Sequence, residues 1–411
     1  MGGWIDYWSY TGDKKYNKIV TEAMLAQVGE NNDYQPSKQF ITLGNDDQAF
    51  WGIAAMSAAE RGFPDPPEDE PQWLALAQAV FQRQASRWDD ETCGGGLRWQ
   101  VIETNTGYDY KNSISNGLFY QIAARLARYT GNATYAEWAE KTWDWSTEIG
   151  IVSDKFEVFD GAHIPKCVVS GTIQWSYNAG IYIGGHANMY QYYTGLGDTA
   201  NAAKYMNLTE QSVLATDGIF FNYVTDYADP PYPPNVMTEQ ACEFRTTPDK
   251  QPTCNTDQRS FKAYLSRHLA MAYQLVPSAT MRDYIMTRFR ASAVAAAKSC
   301  NGGDDGQTCG IAWGEGTYDG SAYGIAIGGL GEHLAVMELF QNLLVMDAKT
   351  LKNENTGTSK GDVNAGTGEG LSAEDLMQTD ASDTGDKAGA GILTTICLVA
   401  LIGLTYWLMR E

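Results

Sequence analysis

The chain has 411 residues, 44% of them hydrophobic, enough to bury one large core or two medium ones, so length alone does not force two domains. Acidic residues number 50 against 29 basic ones, and the resulting formal charge of −21 repels phosphate backbones and leaves no basic stripe, which excludes nucleic-acid partners. Aromatic residues make up 12%, and their flat apolar faces with polar rims serve both for filling cores and for stacking on sugar rings.

In chain order, the opening MGGWIDYWSYTGD has no basic start, apolar run or small-residue cleavage site. A further segment is therefore expected upstream of Met1. Apolar helices then alternate with amphipathic ones: 2–11 with 14–29, 46–61 with 72–88, 112–130 with 133–149, 174–195 with 198–215 and 258–276 with 280–299, followed by a lone apolar segment at 320–345. Three junctions repeat one chemistry. In Tyr10-Thr11-Gly12-Asp13, Tyr129-Thr130-Gly131-Asn132 and Tyr193-Thr194-Gly195-Leu196-Gly197-Asp198, glycine ends one helix and Asp or Asn caps the next. Gly12, Gly131 and Gly195 recur at about two and one units of roughly sixty residues, the mark of repeated helical hairpins. Eleven helices are one short of six pairs, and the missing one is expected before Met1. Closing six hairpins into a ring, small-residue helices inside, gives an all-α (α/α)6 toroid over residues 1–348; an open solenoid of the same hairpins is the alternative.

Residues 349–390 are rich in Gly, Ser, Thr, Asp and Glu and read as a flexible stalk. Residues 391–411 contain ILTTICLVALIGLTYWLM at 392–409, long and apolar enough for a thin bilayer. Small residues near Asp380, Ala381 and Ser382, a polar spacer and this tail match a glycosylphosphatidylinositol (GPI) anchor signal; a retained single span is the alternative. Cys93, Cys167, Cys242, Cys254, Cys300 and Cys309 form an even set in the globular part, with Cys397 alone in the tail. Two short loops, Cys242 with Cys254 and Cys300 with Cys309, would leave Cys93 for Cys167, although six cysteines allow other connectivities. The cysteines, with sequons at Asn132 and Asn207, point to an oxidising, secretory compartment, and the tail to the outer face of the plasma membrane as the destination.

If the first helix of each pair is inner, its start faces one mouth of the ring. Polar clusters gather there: GNDDQAFWG at 44–52, KNSISNG at 111–117, QWSYNAG at 174–180 and QRSFKAYLSRH at 258–268. Asp46 and Asp47 are flanked by Asn45, Gln48 and Trp51, residue types that orient carboxylates and stack on sugars. Retaining glycoside cleavage needs two carboxyl groups about 5–5.5 Å apart, one to attack the anomeric carbon and one to protonate the leaving oxygen. Ionising one of a close pair disfavours ionising the other, which leaves a proton available for acid catalysis.

GNDDQAFWG, with CGGGLRWQ at 93–100, GYDYKNSISNG at 107–117 and QWSYNAG at 174–180, resembles glycoside hydrolase family 76, the α-1,6-mannanase family, and most closely its fungal cell-wall branch. The resemblance covers about residues 1–345 and implies the toroid, a double-displacement mechanism, Asp46 as nucleophile and Asp47 as acid/base. It further implies action on the mannose core of GPI anchors, with transfer of the attached glycoprotein to a β-glucan acceptor of the wall. Family members often carry a cysteine where this chain has Leu118, and the family's opening inner helix would run into Gly2-Gly3-Trp4.

Supporting substrate-binding candidates are Trp99, Asn112, Asn116, Trp175, Tyr177 and Asn178, with Lys262 and Arg267 for an anchor phosphate and Asp226 and Asp229 for the cleft rim. His163, His186, His268 and His333 share no ligand spacing, so neither metal nor other cofactor is expected, and Asp304-Asp305-Gly306 reads as a solvated turn. A glycan-binding wall protein on the same toroid, without turnover, is the competing reading.

Overall fold

A computed structural model describes residues 1–222, 232–243, 253–304, 306–319, 329–368 and 384–408. Asp226, Asp229 and Asp305 lie outside them. The chain divides into two units, Met1–Gly368 and Glu369–Glu411.

The first unit holds eleven α-helices among its described residues: α1 (Gly2–Thr11), α2 (Asn17–Leu25), α3 (Asn45–Arg61), α4 (Trp73–Ser86), α5 (Ser113–Thr130), α6 (Ala133–Glu148), α7 (Ser176–Leu196), α8 (Thr199–Ala215), α9 (Phe261–Leu275), α10 (Ala279–Ser299) and α11 (Leu330–Asn342). Gly12, Gly62, Gly131 and Gly197 end α1, α3, α5 and α7 with φ of 75°, 67°, 71° and 74°. This left-handed turn carries no Cβ penalty in glycine. At the third repeated junction Gly197, not Gly195, makes the turn, because α7 runs one residue past Gly195. Asn132 and Asp198 cap α6 and α8 by accepting the amides of Thr134 and Asn201. Asp13 does not cap α2. Its carboxylate takes the Tyr7 hydroxyl and the Lys15 amide, so α2 starts at Asn17 and is shorter than the expected 14–29.

The odd-numbered helices pack side by side in the order α1, α3, α5, α7, α9, α11, and α11 returns to α1. The inner ring is therefore closed, which rules out the open solenoid. Each of α2, α4, α6 and α8 lies behind its own partner, and α10 lies behind both α9 and α11. Among the described residues the unpaired helix, α11, is an inner one, so the ring needs no further inner helix to close. Small residues let the inner helices touch: a Cβ on Gly180 of α7 would stand 2.9 Å from the Leu265 backbone of α9. Away from the site, Glu60, 1% exposed, is held by Arg125 and Arg128. Burial alone pushes the Glu60 carboxyl up, but the two guanidinium groups outweigh it and hold it below the usual range.

Three strands of two or three residues form a small antiparallel sheet, β1 (Tyr110–Asn112), β2 (Gly161–His163) and β3 (Val168–Val169), with β2 in the middle. Segments this short leave no alternation for sequence to reveal. Disulfides join Cys93 to Cys167, Cys242 to Cys254 and Cys300 to Cys309, so Cys93 finds its partner without a cysteine at position 118.

Residues 349–368 correct the expected stalk boundary, because they run over the helices. The Lys352 and Glu354 amides donate to the carbonyls of Glu60 and Tyr129, at 2.7 and 2.9 Å, and the Asp362 amide donates to Gln78 Oε1 at 2.7 Å. Such a segment buries little apolar surface of its own, but it satisfies carbonyls left open at the ends of α3 and α5. The second unit contains one helix, α12 (Thr384–Leu408). Among the described residues, no helix is long and apolar enough to cross a membrane. Asn132 and Asn207 are both exposed.

Candidate active site

At one mouth of the ring lies a cleft of about 420 Å³, lined by Asp46, Asp47, Phe50, Trp99, Tyr110, Asn112, Asp160, Tyr177, Asp257, Ser260, Phe261 and Tyr264. The starts of α3, α5, α7 and α9 supply most of these side chains. The 97–100 loop, β1 and the connections that carry Asp160 and Asp257 supply the rest.

The start of α3 is fixed by its neighbours. The Asn45 amide donates to the Trp99 carbonyl at 2.9 Å, and Asn45 Nδ2 donates to the Arg98 carbonyl at 2.8 Å. Asp47, third residue of the helix, accepts the Gly44 amide at 2.8 Å, as an N-terminal capping carboxylate does. Asp46 Oδ2 accepts Trp99 Nε1 at 3.1 Å, and its Oδ1, buried, has no partner among the described residues. Burial first, and then Asp47, pushes the Asp46 carboxyl up to about 7, against the Trp99 hydrogen bond. Asp47 is also raised, by burial and by Asp257, while the Gly44 amide opposes the rise. Asp46 therefore keeps its proton up to near neutral pH.

Gly44 is required by space rather than by backbone angle. Its φ of −87° suits any residue, but a Cβ there would stand 2.3 Å from Asp46 Oδ1 and 3.2 Å from Asp47 Oδ2. Gly44→Ala is therefore expected to leave thermal unfolding close to wild type while lowering kcat/KM on the order of 10²-fold, the cost of displacing a reacting group by about an ångström. A variant as active as wild type would show that neither carboxyl is held by this contact.

The walls are aromatic. Tyr177 and Phe261 stack face to face at 3.8 Å with an interplanar angle of 2°, and Phe50 leans on Tyr264 at 4.9 Å. Asp160 accepts the Tyr110 hydroxyl at 2.7 Å. Among the described residues, the lining has four carboxylates and no Lys or Arg. Among the described residues, no group of three His, Cys, Asp or Glu side chains converges as a metal site requires.

Of the residues expected from sequence, Asp46, Asp47, Trp99, Asn112 and Tyr177 line the cleft. Asn112 also caps α5 through Ser115. The others are turned elsewhere. Asn45 and Gln48 both accept from Arg87, and Gln48 also donates to the Asp33 carbonyl, so they fasten α3 to its surroundings. Trp51 stacks on buried Tyr34 at 5.7 Å. Asn116 pairs with both backbone groups of Leu97 and so holds the loop that carries Trp99. Trp175 packs on the Cys242–Cys254 cluster, and Asn178 is fully buried outside the cleft lining. Lys262 and Arg267 are buried ion-pair partners, Lys262 of Glu243 and Arg267 of Glu338 and Asp6, so neither reaches a substrate phosphate. Asp160, Asp257, Phe50, Tyr110, Ser260, Phe261 and Tyr264 are the lining residues that sequence reading missed.

The family model for glycosyl hydrolase family 76 matches residues 1–355. Mannan endo-1,6-alpha-mannosidase DCW1 of Saccharomyces cerevisiae is 44% identical over 417 residues, which span 99% of this chain and 84% of the relative. The crystal structure of Dfg5 from Chaetomium thermophilum in complex with glucosamine gives a TM-score of 0.79 at 41% identity, over 89% of this chain and 83% of that one. An α-1,6-mannanase from a Salegentibacter species, an inactive variant with two consecutive aspartates replaced and α-1,6-mannotriose bound, gives a TM-score of 0.60 at 17% identity, over 83% and 86%. That last likeness is one of fold.

Proposed function

The chain belongs to glycosyl hydrolase family 76, and from that premise we propose that it cleaves α-1,6-linked mannosides with retention, Asp46 serving as nucleophile and Asp47 as acid/base. Two neighbouring carboxyl groups open into one aromatic-walled cleft at the mouth of the ring, and this arrangement carries the proposal. In the first step Asp46 bonds to the anomeric carbon while Asp47 gives its proton to the departing glycosidic oxygen. In the second, Asp47 takes the proton of an incoming hydroxyl as that oxygen displaces Asp46. The burial that raises Asp46 favours the shared proton there when no sugar is bound. Positive charge developing at the anomeric carbon beside Asp46 favours its ionised form and leaves the proton on Asp47.

The substrate proposed is the mannose core of a GPI anchor, with a β-glucan hydroxyl as acceptor. The cleft's charge refines this. Among the described lining residues, four carboxylates without a basic side chain suit neutral hydroxyls and an amino sugar rather than a phosphate, and the Chaetomium relative is in complex with glucosamine. Three disulfides, two exposed sequons and the apolar 391–411 tail support a cell-surface location with the tail as anchor or anchor signal.

The test is incubation with an α-1,6-mannotetraose, with and without a β-glucan oligosaccharide, read by NMR and mass spectrometry. Shorter mannosides released first as α-anomers, and a mixed mannosyl-glucan product, are expected. No cleavage, or β-anomers first, overturns the mechanism; hydrolysis products alone remove the transfer half.

A further inference from the structure

The stacked rings of Tyr177 and Phe261 belong to two different helices, and one short segment holds both helix starts. Glu239 and Glu243 are 0% and 2% exposed and lie one turn apart, the Glu243 amide donating to the Glu239 carbonyl at 2.9 Å. Glu239 accepts the Ser176 amide at 3.1 Å and the Ser176 hydroxyl through its second oxygen. Ser176 opens α7, whose N-cap residue Trp175 provides no side-chain cap. Glu239 thus supplies from outside the acceptor that the helix start lacks. Glu243 forms an ion pair with Lys262, whose ammonium also lies 3.8 Å from the centre of the Trp313 ring. Lys262 is the second residue of α9, another helix without a side-chain N-cap. Between the two glutamates, Cys242 is bonded to Cys254.

The sequence neighbours of these anchors face the cleft. Tyr177 follows Ser176, and Phe261 precedes Lys262. One glutamate therefore fixes the residue before one ring and the other fixes the residue after its stacking partner. We propose that Glu239 and Glu243 are positioning residues that hold the Tyr177–Phe261 stack as one wall of the sugar cleft, and so set affinity for the glycan without touching it. The proposal rests on the cleft being the mannoside site.

A double-mutant cycle separates positioning from a merely structural role. Glu239→Ala is expected to raise KM for an α-1,6-mannoside about tenfold with kcat within about twofold, as Tyr177→Ala does, and the double variant should be no worse than Tyr177→Ala alone. Burial pushes Glu239 up to about 8, so Glu239→Gln resembles its neutral form and should restore KM. Where Glu239→Ala does not fold, Ser176→Ala, which removes only the hydroxyl contact, takes its place in the cycle. An unchanged KM, or effects of Glu239 and Tyr177 that multiply fully, overturns the proposal. Turnover by wild type tests the function itself; if wild type is silent, the same cycle read as mannotriose dissociation constants by calorimetry still tests the wall.

Discussion

Asp46→Asn and Asp47→Asn are each expected to abolish useful turnover of an α-1,6-mannoside while leaving the toroid folded. Removing a general acid costs about 10²–10⁴-fold, and removing the nucleophile of a covalent route costs on the order of 10⁴-fold or more. Stability should hardly change. Asp47 complements the α3 N-terminus and caps Gly44, a contribution of roughly 0.3–1 kcal/mol. Burial disfavours the charged form of Asp46, so its neutral replacement is tolerated. The two losses differ in kind. With Asp46→Ala, added azide can attack the anomeric carbon from the vacated side, and a glycosyl azide should accumulate. With Asp47→Ala, substrates carrying a good leaving group should regain the first step. The pH profile follows from the same pair. Activity needs one proton shared by two carboxyls, and Asp46 is raised to about 7. The wild-type kcat/KM should therefore fall as pH rises through about 7, when the last proton leaves, and fall again in acid, when both carboxyls are protonated. Full turnover in both Asn variants would leave a toroid whose chemistry lies elsewhere.

Much of the ring was legible because its helices are long and its stops are glycines. Side-chain direction was harder to read. On α3, residues 46, 47 and 50 turn to the cleft, while Asn45 and Gln48, three apart, share the face turned to Arg87. Polarity alone could not separate these faces. On α9 the same spacing would have found Phe261 and Tyr264, but attention to charge selected Lys262 and Arg267 instead. Their partners Glu243 and Glu338 come from other segments, and Glu338 is 71 residues from Arg267, so no local pattern reveals the pairing. Asp160 and Asp257 sit in connections without periodicity and enter the cleft through tertiary structure alone.

Arg267 offers the sharpest contrast between the reading from sequence and the arrangement in the fold. From α9 it reaches Glu338 of α11 and Asp6 of α1, and Asp6 in turn accepts Arg61 of α3 at 2.9 Å. These pairs cross the seam where the ring closes. Gly2 and Gly3 make room for them, since Cβ atoms there would stand 2.7 Å from Arg267 Nη1 and 2.3 Å from Glu338 Oε1. Arg267→Met strands Glu338, which is 0% exposed, and leaves Asp6, 2% exposed, with Arg61 alone. Breaking a buried pair in this way costs about 3–5 kcal/mol, which lowers Tm by roughly 4–6 °C in a unit of this length. The pH dependence identifies the cause. Burial already raises Glu338 with Arg267 present, and without the guanidinium it must stay protonated to remain inside. Its folded pKa then lies above the unfolded value, so the folded variant binds the extra proton and its deficit should shrink as pH falls and grow as pH rises. Thermal unfolding of wild type and variant at pH 5 and pH 8 reads this directly. Arg267→Met with Glu338→Leu should recover much of the loss, because an apolar pair of similar volume carries no desolvation cost. A variant that unfolds like wild type but loses affinity for a phosphate-bearing glycan would return Arg267 to the substrate.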